Sequence, residues 1–206
     1  MTGNTKPSKD SPELNGSPPE RLLQAANELF YAEGVQSVGI HRVIERAGVA
    51  KASLYSTFGS KDELVRAYLQ TRHDQTLERL HAALDQVQDP VQRILAVFDA
   101  QAQLFRDPDF HGCAFTAAAA EAPPGSRIHE AKDSYRQDIR TLFTTLAAAA
   151  GASDPRRLAA QLQLIYDGGG LAANLDHDPE IAAPARAAAA ALITAALRQP
   201  VDPSPS

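Results

Sequence analysis

GVQSVGIHRVIERAGVAKASLYSTFGSK, residues 34–61, is the stretch that decides the fold. In its first half Ile40, Val43, Ile44 and Ala47 recur at i, i+3, i+4 and i+7, which is one face of a helix. In its second half Leu54 and Phe58 stand four residues apart, again on one face. Between the halves lies Gly48-Val49, behind the small Ala47. Glycine enters the left-handed conformation without penalty, so it can stop one helix and redirect the chain into the next. Two short helices joined in this way form a helix-turn-helix, a unit that offers its second helix to the major groove of DNA.

The residues left outside the apolar faces suit that task. Lys51, Ser53, Ser56 and Thr57 are outward or lateral on the second helix, with Tyr55 at the edge. His41 and Arg42 open the first helix, and Lys61 opens the helix after the unit. Glu45 is the one acid of the stretch, against Arg42, Arg46, Lys51 and Lys61. Hydroxyl and ammonium groups meet phosphate oxygens or base edges, whereas carboxylates are repelled by phosphate. These nine residues, His41, Arg42, Lys51, Ala52, Ser53, Tyr55, Ser56, Thr57 and Lys61, are the expected DNA-binding set.

The segment resembles the DNA-binding domain of the TetR family of transcriptional regulators. The resemblance rests on the Leu29-Phe30 pair before Gly34, on Ile40, Val43 and Ala47-Gly48-Val49, and on Lys51, Leu54-Tyr55, Phe58 and Ser60-Lys61. Three departures matter. Val38-Gly39 stands where the family usually has Ser or Thr, and Ala50 where it often has Ser, so two side-chain helix caps are missing. Ser56 and Thr57 replace the common aromatic or His residues, so no relative's operator sequence carries over.

The rest of the composition is that of an ordinary globular chain. The 206 residues are 44% hydrophobic and 22% charged. The net charge of −5 argues by itself against a nucleic-acid binder, but the positive charge is local to the quoted stretch. A single cysteine excludes an internal disulfide and suits the cytoplasm. No membrane span and no signal peptide is read from the sequence, so the expectation is a cytoplasmic protein without a membrane partner.

Along the chain, residues 1–17 are rich in Ser, Pro, Asn, Gly and Lys and read as a disordered tail. Lys6 and Lys9 leave open a basic arm in the minor groove. Ser17-Pro18-Pro19-Glu20 is a capping box that starts a helix bearing Leu22, Leu23, Ala26, Leu29 and Phe30. Arg21, at its start, is placed to reach a phosphate or to stay solvated. Ser60-Lys61-Asp62-Glu63 is a second capping box, opening a long helix to about Gln86. A shift of that helix's far end would swing the reading helix. Asp89-Pro90, Asp154-Pro155 and Asp178-Pro179 each place a cap before a proline. No strand-period alternation appears, so the fold expected is all-α, with about nine helices. The domains expected are the helix-turn-helix unit at 18–62, a helical ligand-binding and dimerisation domain at 63–200 and a short tail at 201–206.

The resemblance implies a C-terminal domain that binds a small molecule and releases DNA. Gly112-Cys113-Ala114-Phe115, with Asp167-Gly168-Gly169, resembles one branch of such domains. Phe98, Gln101, Phe105, Cys113, Phe115, Tyr135 and Tyr166 are the candidate ligand-binding residues, for an apolar or aromatic effector. The same aromatics also read as plain core. Leu158, Leu162, Ile165, Gly169, Ala185, Ala188, Leu192 and Ile193 mark faces of the last two helices that suit a homodimeric four-helix bundle. The expected function is a DNA-binding regulator, a repressor released from its operator by a small effector. The alternative is a regulator or binding module controlled by a partner protein or without a ligand.

Enzymatic and metal readings find little support. Cys113 lacks a base and orienting group at a recognisable spacing and reads as a buried thiol. His73 and His81 on one helix read as a solvated face. Gly168-Gly169-Gly170 has no preceding strand and no following Lys-Ser/Thr, so it is not a phosphate loop. No catalytic residue, metal or cofactor is expected.

Overall fold

The computed structural model describes residues 14–198; most of the expected N-terminal tail, with Lys6 and Lys9, and the whole C-terminal tail lie outside the described residues. Among the described residues there are nine α-helices, one 3-10 turn and no strand. The described residues divide into two compact units, with the division after Tyr68.

The first unit contains α1 (Pro18–Glu33), α2 (Ile40–Ala47), α3 (Lys51–Phe58) and the opening residues of α4 (Lys61–Asp85). At the start of α1 the Ser17 amide and hydroxyl both donate to the Glu20 carboxylate, at 2.7 and 2.8 Å. These bonds hold the Glu20 carboxyl below the usual carboxylate range. Leu22, Ala25, Ala26 and Phe30 of α1, Val43 and Ala47 of α2, Leu54 of α3 and Leu64 and Tyr68 of α4 are buried together. Each fully buried leucine contributes about 1.5–3 kcal/mol. Phe30 meets Tyr68 edge-on at 5.6 Å. On the outside, Arg42 forms a bidentate ion pair with Glu33, and Arg46 pairs with Glu28 at 2.9 Å, tying α2 to α1. Exposed pairs of this kind add up to about 1 kcal/mol each, so the core dominates.

Gly48 sits at φ 61°, ψ 41°, in the left-handed region. The amides of Gly48 and Val49 donate back to the carbonyls of Glu45 and Ile44, closing α2. Neither reader helix has a side-chain cap: Gly39 precedes α2 and Ala50 precedes α3.

The second unit holds the remainder of α4, then α5 (Pro90–Phe105), α6 (Ala114–Glu121), α7 (Arg127–Ala149), α8 (Pro155–Asp176), the 3-10 turn Pro179–Ile181 and α9 (Ala182–Arg198). Asp89 and Asp154 cap α5 and α8 by accepting from the amides of Gln92 and Arg157. Asp178 accepts from Glu180 and starts the 3-10 turn rather than an α-helix. Within this unit α7 packs on α8, and α9 packs on both α5 and α8. Phe98, Ile94, Ile139, Phe143, Leu158, Leu162 and Ile193 form its centre. Gly169 permits the α8–α9 approach, since a Cβ there would lie 3.3 Å from the Ala185 Cβ.

Among the described residues, Pro179–Arg198 form a 20-residue helical stretch of mean hydropathy 1.4, long and apolar enough by length and composition alone to cross a membrane. Alanine supplies that hydropathy. Because only 17% of the stretch is buried, most of its small side chains face outward.

Gly48→Ala is expected to destabilise the first unit by about 1–2 kcal/mol in urea unfolding, from the left-handed backbone. The nearest atom to the added Cβ is an Arg21 nitrogen 3.8 Å away, so no clash adds to this cost. Gly48→Asn should lose less, because Asn tolerates that conformation.

Candidate functional site

The turn at Gly48 presents α3 with Leu54 facing the core and fully buried. Lys51, Ala52, Tyr55, Ser56 and Thr57 are exposed, and Ser53 is half-buried. The Lys51 ammonium stands 5.8 Å from the centre of the Tyr55 ring, one helical turn on. The Ser56 hydroxyl donates to the Ser53 carbonyl at 3.1 Å, which leaves its lone pairs outward. Lys61 is half-buried, its ammonium 5.9 Å from the Phe30 ring centre. His41 is exposed on α2. Arg42 is exposed too but engaged with Glu33, whose carboxylate raises the guanidinium pKa and is itself lowered by that bond. A phosphate approaching Arg42 competes with that carboxylate.

Arg21 adds a further cation. One terminal nitrogen lies 3.8 Å from where a Gly48 Cβ would stand, beside the turn between the reader helices. Its Nε is buried without a hydrogen-bond partner among the described residues. All the expected α3 residues therefore share one short helix, with Arg21 at its approach.

In the second unit the candidate ligand residues separate into three groups. Phe115 stacks on Tyr135 at 4.1 Å and 5°, with His73 edge-on to both rings. Phe98, Tyr166 and Phe143 form a second group with centroids 5.9–6.3 Å apart. A Tyr135–Tyr166 hydroxyl hydrogen bond joins the two groups, and burial pushes both phenols up. Gln101 is buried, and its amide donates to the Tyr166 carbonyl at 2.8 Å. Phe105 stands apart, packed on Phe110 at 5.1 Å and on Ala182.

Three expectations are corrected here. Cys113 is exposed, because it is the residue preceding the first turn of α6 and lies outside the helix packing. His73 is only 8% exposed rather than solvated. It shares a helical face with the buried Leu69 and Leu80 and pairs with Asp138 at 3.0 Å. That phase with Leu69 and Leu80 was the signal that could have found it. Leu158, Leu162, Gly169 and Ile193 are buried inside their own chain and have no surface for a partner. Ile165, Ala185 and Leu192 are half-buried, and Ala188 is exposed. The exposed large apolar residues of α8 and α9 are instead Leu164, Leu171, Leu175 and Leu197.

Sequence reasoning also missed a polar seam between α7 and α8. Arg136 pairs with Asp167 at 2.6 Å, and Arg140 donates to Gln163, whose amide donates to the Arg136 carbonyl. Burial raises Asp167, and the Arg136 bond opposes it. Nothing in helical periodicity marks which charged residues of α7 turn inward. Among the described residues no group of three or more His, Cys, Asp or Glu side chains is arranged to hold a metal.

A helix-turn-helix with an acid-free, hydroxyl-bearing second helix defines a sequence-reading DNA-binding protein. The pattern of the bacterial regulatory proteins of the tetR family matches residues 22–68. The chain is 32% identical to a TetR-family transcriptional regulator from Streptomyces coelicolor, whose crystal structure superposes with a TM-score of 0.84 over 88% of this chain and 96% of that one. It is 39% identical over 80 residues to the HTH-type transcriptional activator FasR of Mycolicibacterium smegmatis, a match spanning 39% of this chain and 36% of that protein. It is 29% identical over 89 residues to an HTH-type transcriptional repressor of the same organism, over 43% of each chain. The chain belongs to the TetR family. It is a DNA-binding transcriptional regulator and not an enzyme.

Lys51→Ala is expected to weaken binding to every duplex and to lower the slope of log affinity against log salt by about one. Thr57→Ala should change the preferred base instead, by about 1–3 kcal/mol of discrimination. Filter binding across a salt series and a randomised operator library separates the two.

Proposed function

We propose that the protein is a repressor that acts as a homodimer and leaves its operator when a small, largely apolar effector enters the second unit. The observation that carries the DNA contact is the exposed face of α3, on which Lys51, Tyr55, Ser56 and Thr57 stand without an acid. Arg21, unpaired beside the Gly48 turn, is assigned to a flanking phosphate. His41, Arg42, Ala52, Ser53 and Lys61 complete the contact set. Repression and effector release are the finer part of the reading; the similar proteins named above include one activator and one repressor. A cytoplasmic location follows from the DNA target.

The dimer face supported by burial is the outward side of α8 and α9. Of the five exposed large apolar residues among the described residues, four are leucines on these two helices, and the fifth is Tyr55 on α3. Leu164, Leu171 and Leu175 follow helical spacing, with the exposed Gly168 between them, where a Cβ would meet nothing in its own chain. A second helix can approach closely at such a glycine. Pairing also serves the reading itself, because one helix-turn-helix contacts one half-site and two-fold symmetry supplies the second. The effector is placed among Phe98, Phe115, Tyr135 and Tyr166, with Gln101 as a polar neighbour; Cys113 lies at the rim and Phe105 is peripheral. α4, which contributes residues to both units, is the covalent route for the signal.

The test is binding of the purified protein to the DNA upstream of its own gene, followed by release with a panel of lipophilic compounds. Salt-insensitive or absent binding removes the regulator reading for that DNA. Arg21→Ala should weaken binding without changing base preference. Leu171→Glu, at a residue 55% exposed, should leave the fold intact yet convert a sedimenting dimer to a monomer and abolish two-half-site binding. A variant that remains dimeric at all concentrations moves the interface elsewhere.

A further inference from the structure

Eight residues make α3, and the burial of one fixes where the others stand. Leu54 is wholly buried. At 3.6 residues per turn, Ala52 and Ser56 each lie about 160° around the helix axis from Leu54, one on either side of the point directly opposite. Both are exposed. Lys51 and Tyr55 share one flank, with the ammonium 5.8 Å from the ring centre, and Thr57 and the half-buried Ser53 share the other. A helix with its side chains is about 10–12 Å across, and the major groove is about 12 Å wide and 8.5 Å deep. With Leu54 at its back, α3 therefore carries Ala52 and Ser56 to the floor of the groove and turns its flanks toward the walls.

The two side chains at this ridge have different and definite chemistry. Ala52 offers a methyl group and no hydrogen bond. The thymine C5-methyl is the apolar group of the major groove, so it is what Ala52 covers without stripping a polar base edge of water. A serine hydroxyl has one hydrogen and two lone pairs. The hydrogen of Ser56 is spent on the Ser53 carbonyl at 3.1 Å, so the oxygen meets the groove as an acceptor. The donors it can meet there are the exocyclic amines, adenine N6 and cytosine N4. Guanine O6 and N7 and thymine O4 are acceptors, and bonding to them requires Ser56 to give up its bond to Ser53. Residues at i and i+4 have Cβ atoms about 5–6 Å apart, so Ala52 and Ser56 meet neighbouring groups. An adenine–thymine pair presents a methyl and an amine side by side in this groove.

We propose that Ala52 and Ser56 are specificity-determining residues that together read one adenine–thymine pair in each half-site. The Ala52 methyl packs on the thymine C5-methyl, and the Ser56 oxygen accepts from the adenine N6 amine. Lys51 and Tyr55 on the flank hold the register without choosing this base pair. The assignment rests on α3 as the helix that reads DNA and adds the base pair that its outermost ridge selects.

The test uses the full chain and duplexes selected with it from a randomised library. Each thymine of the selected site is replaced in turn by deoxyuridine, which lacks only the methyl. Each adenine is replaced by 2-aminopurine, which still pairs with thymine but carries its amine in the minor groove. One pair in each half-site should respond to both, each replacement weakening binding at least about threefold. Ala52→Gly should erase the deoxyuridine effect at that pair and keep the 2-aminopurine effect; Ser56→Ala should do the reverse. Each ratio is read within one protein, so a general loss of affinity cancels. The analogue measurements on the unaltered chain decide the matter if a variant fails to fold: no pair sensitive to both analogues overturns the proposal. A deoxyuridine effect that survives Ala52→Gly overturns the Ala52 contact. If Ser56→Ala instead relaxes the choice of a cytosine or a guanine, the adenine assignment fails and α3 remains the reading helix. If selection enriches no sequence, the reading of α3 fails with it.

Discussion

Everything the first unit does follows from the backbone at one residue. With Gly48 at positive φ, α2 ends within a single residue and α3 leaves at an angle that puts Leu54 into the small core. The hydrophobic contacts of Leu22, Ala26, Val43, Ala47 and Leu54 then hold that angle, and the Arg42–Glu33 and Arg46–Glu28 pairs fasten α2 to α1 from outside. An eight-residue helix is too short to persist alone in water. Packing therefore keeps α3 helical and aimed outward. Its uncapped start, at Ala50, leaves the first amides of α3 without a side-chain acceptor.

The charge distribution resolves the conflict between an acidic chain and an anionic target. The net charge of −5 is a property of the whole chain, whereas binding responds to the local field within a Debye length of about 10 Å. Near the reader, Glu28 and Glu33 are already matched by Arg46 and Arg42, so of the charges in residues 34–61 Lys51 and Lys61 remain against Glu45, with Arg21 beside the turn. The two ion pairs thus serve packing and also neutralise two acids of α1.

Most of the fold was legible because its helices carry one apolar stripe each and clear end signals. Ser17, Asp89 and Asp154 before prolines, and Gly48 between two stripes, each state a boundary in local chemistry. The faces of α8 and α9 were not legible in the same way. Leu158 and Leu162 point inward while Leu164, Leu171 and Leu175 point outward, so α8 is apolar on two sides and periodicity alone cannot choose between them. Burial made the choice. Cys113 misled because cysteine is usually buried, a tendency that its place at the start of α6 overrides. The seam of Arg136, Asp167, Arg140 and Gln163 depends on which residues of two helices face each other, and a single sequence does not encode that pairing visibly.

The tyrosine arrangement has an optical consequence. The chain contains five tyrosines and no tryptophan, so its intrinsic ultraviolet emission comes from phenols alone. Tyr55 is 45% exposed on α3, while Tyr135 and Tyr166 are shielded from water and resist ionisation because burial disfavours the phenolate. An alkaline absorbance titration of the untouched chain therefore leaves Tyr135 and Tyr166 protonated beyond the usual phenol range. The molecule carries unlabelled chromophores both on its reading helix and in its interior.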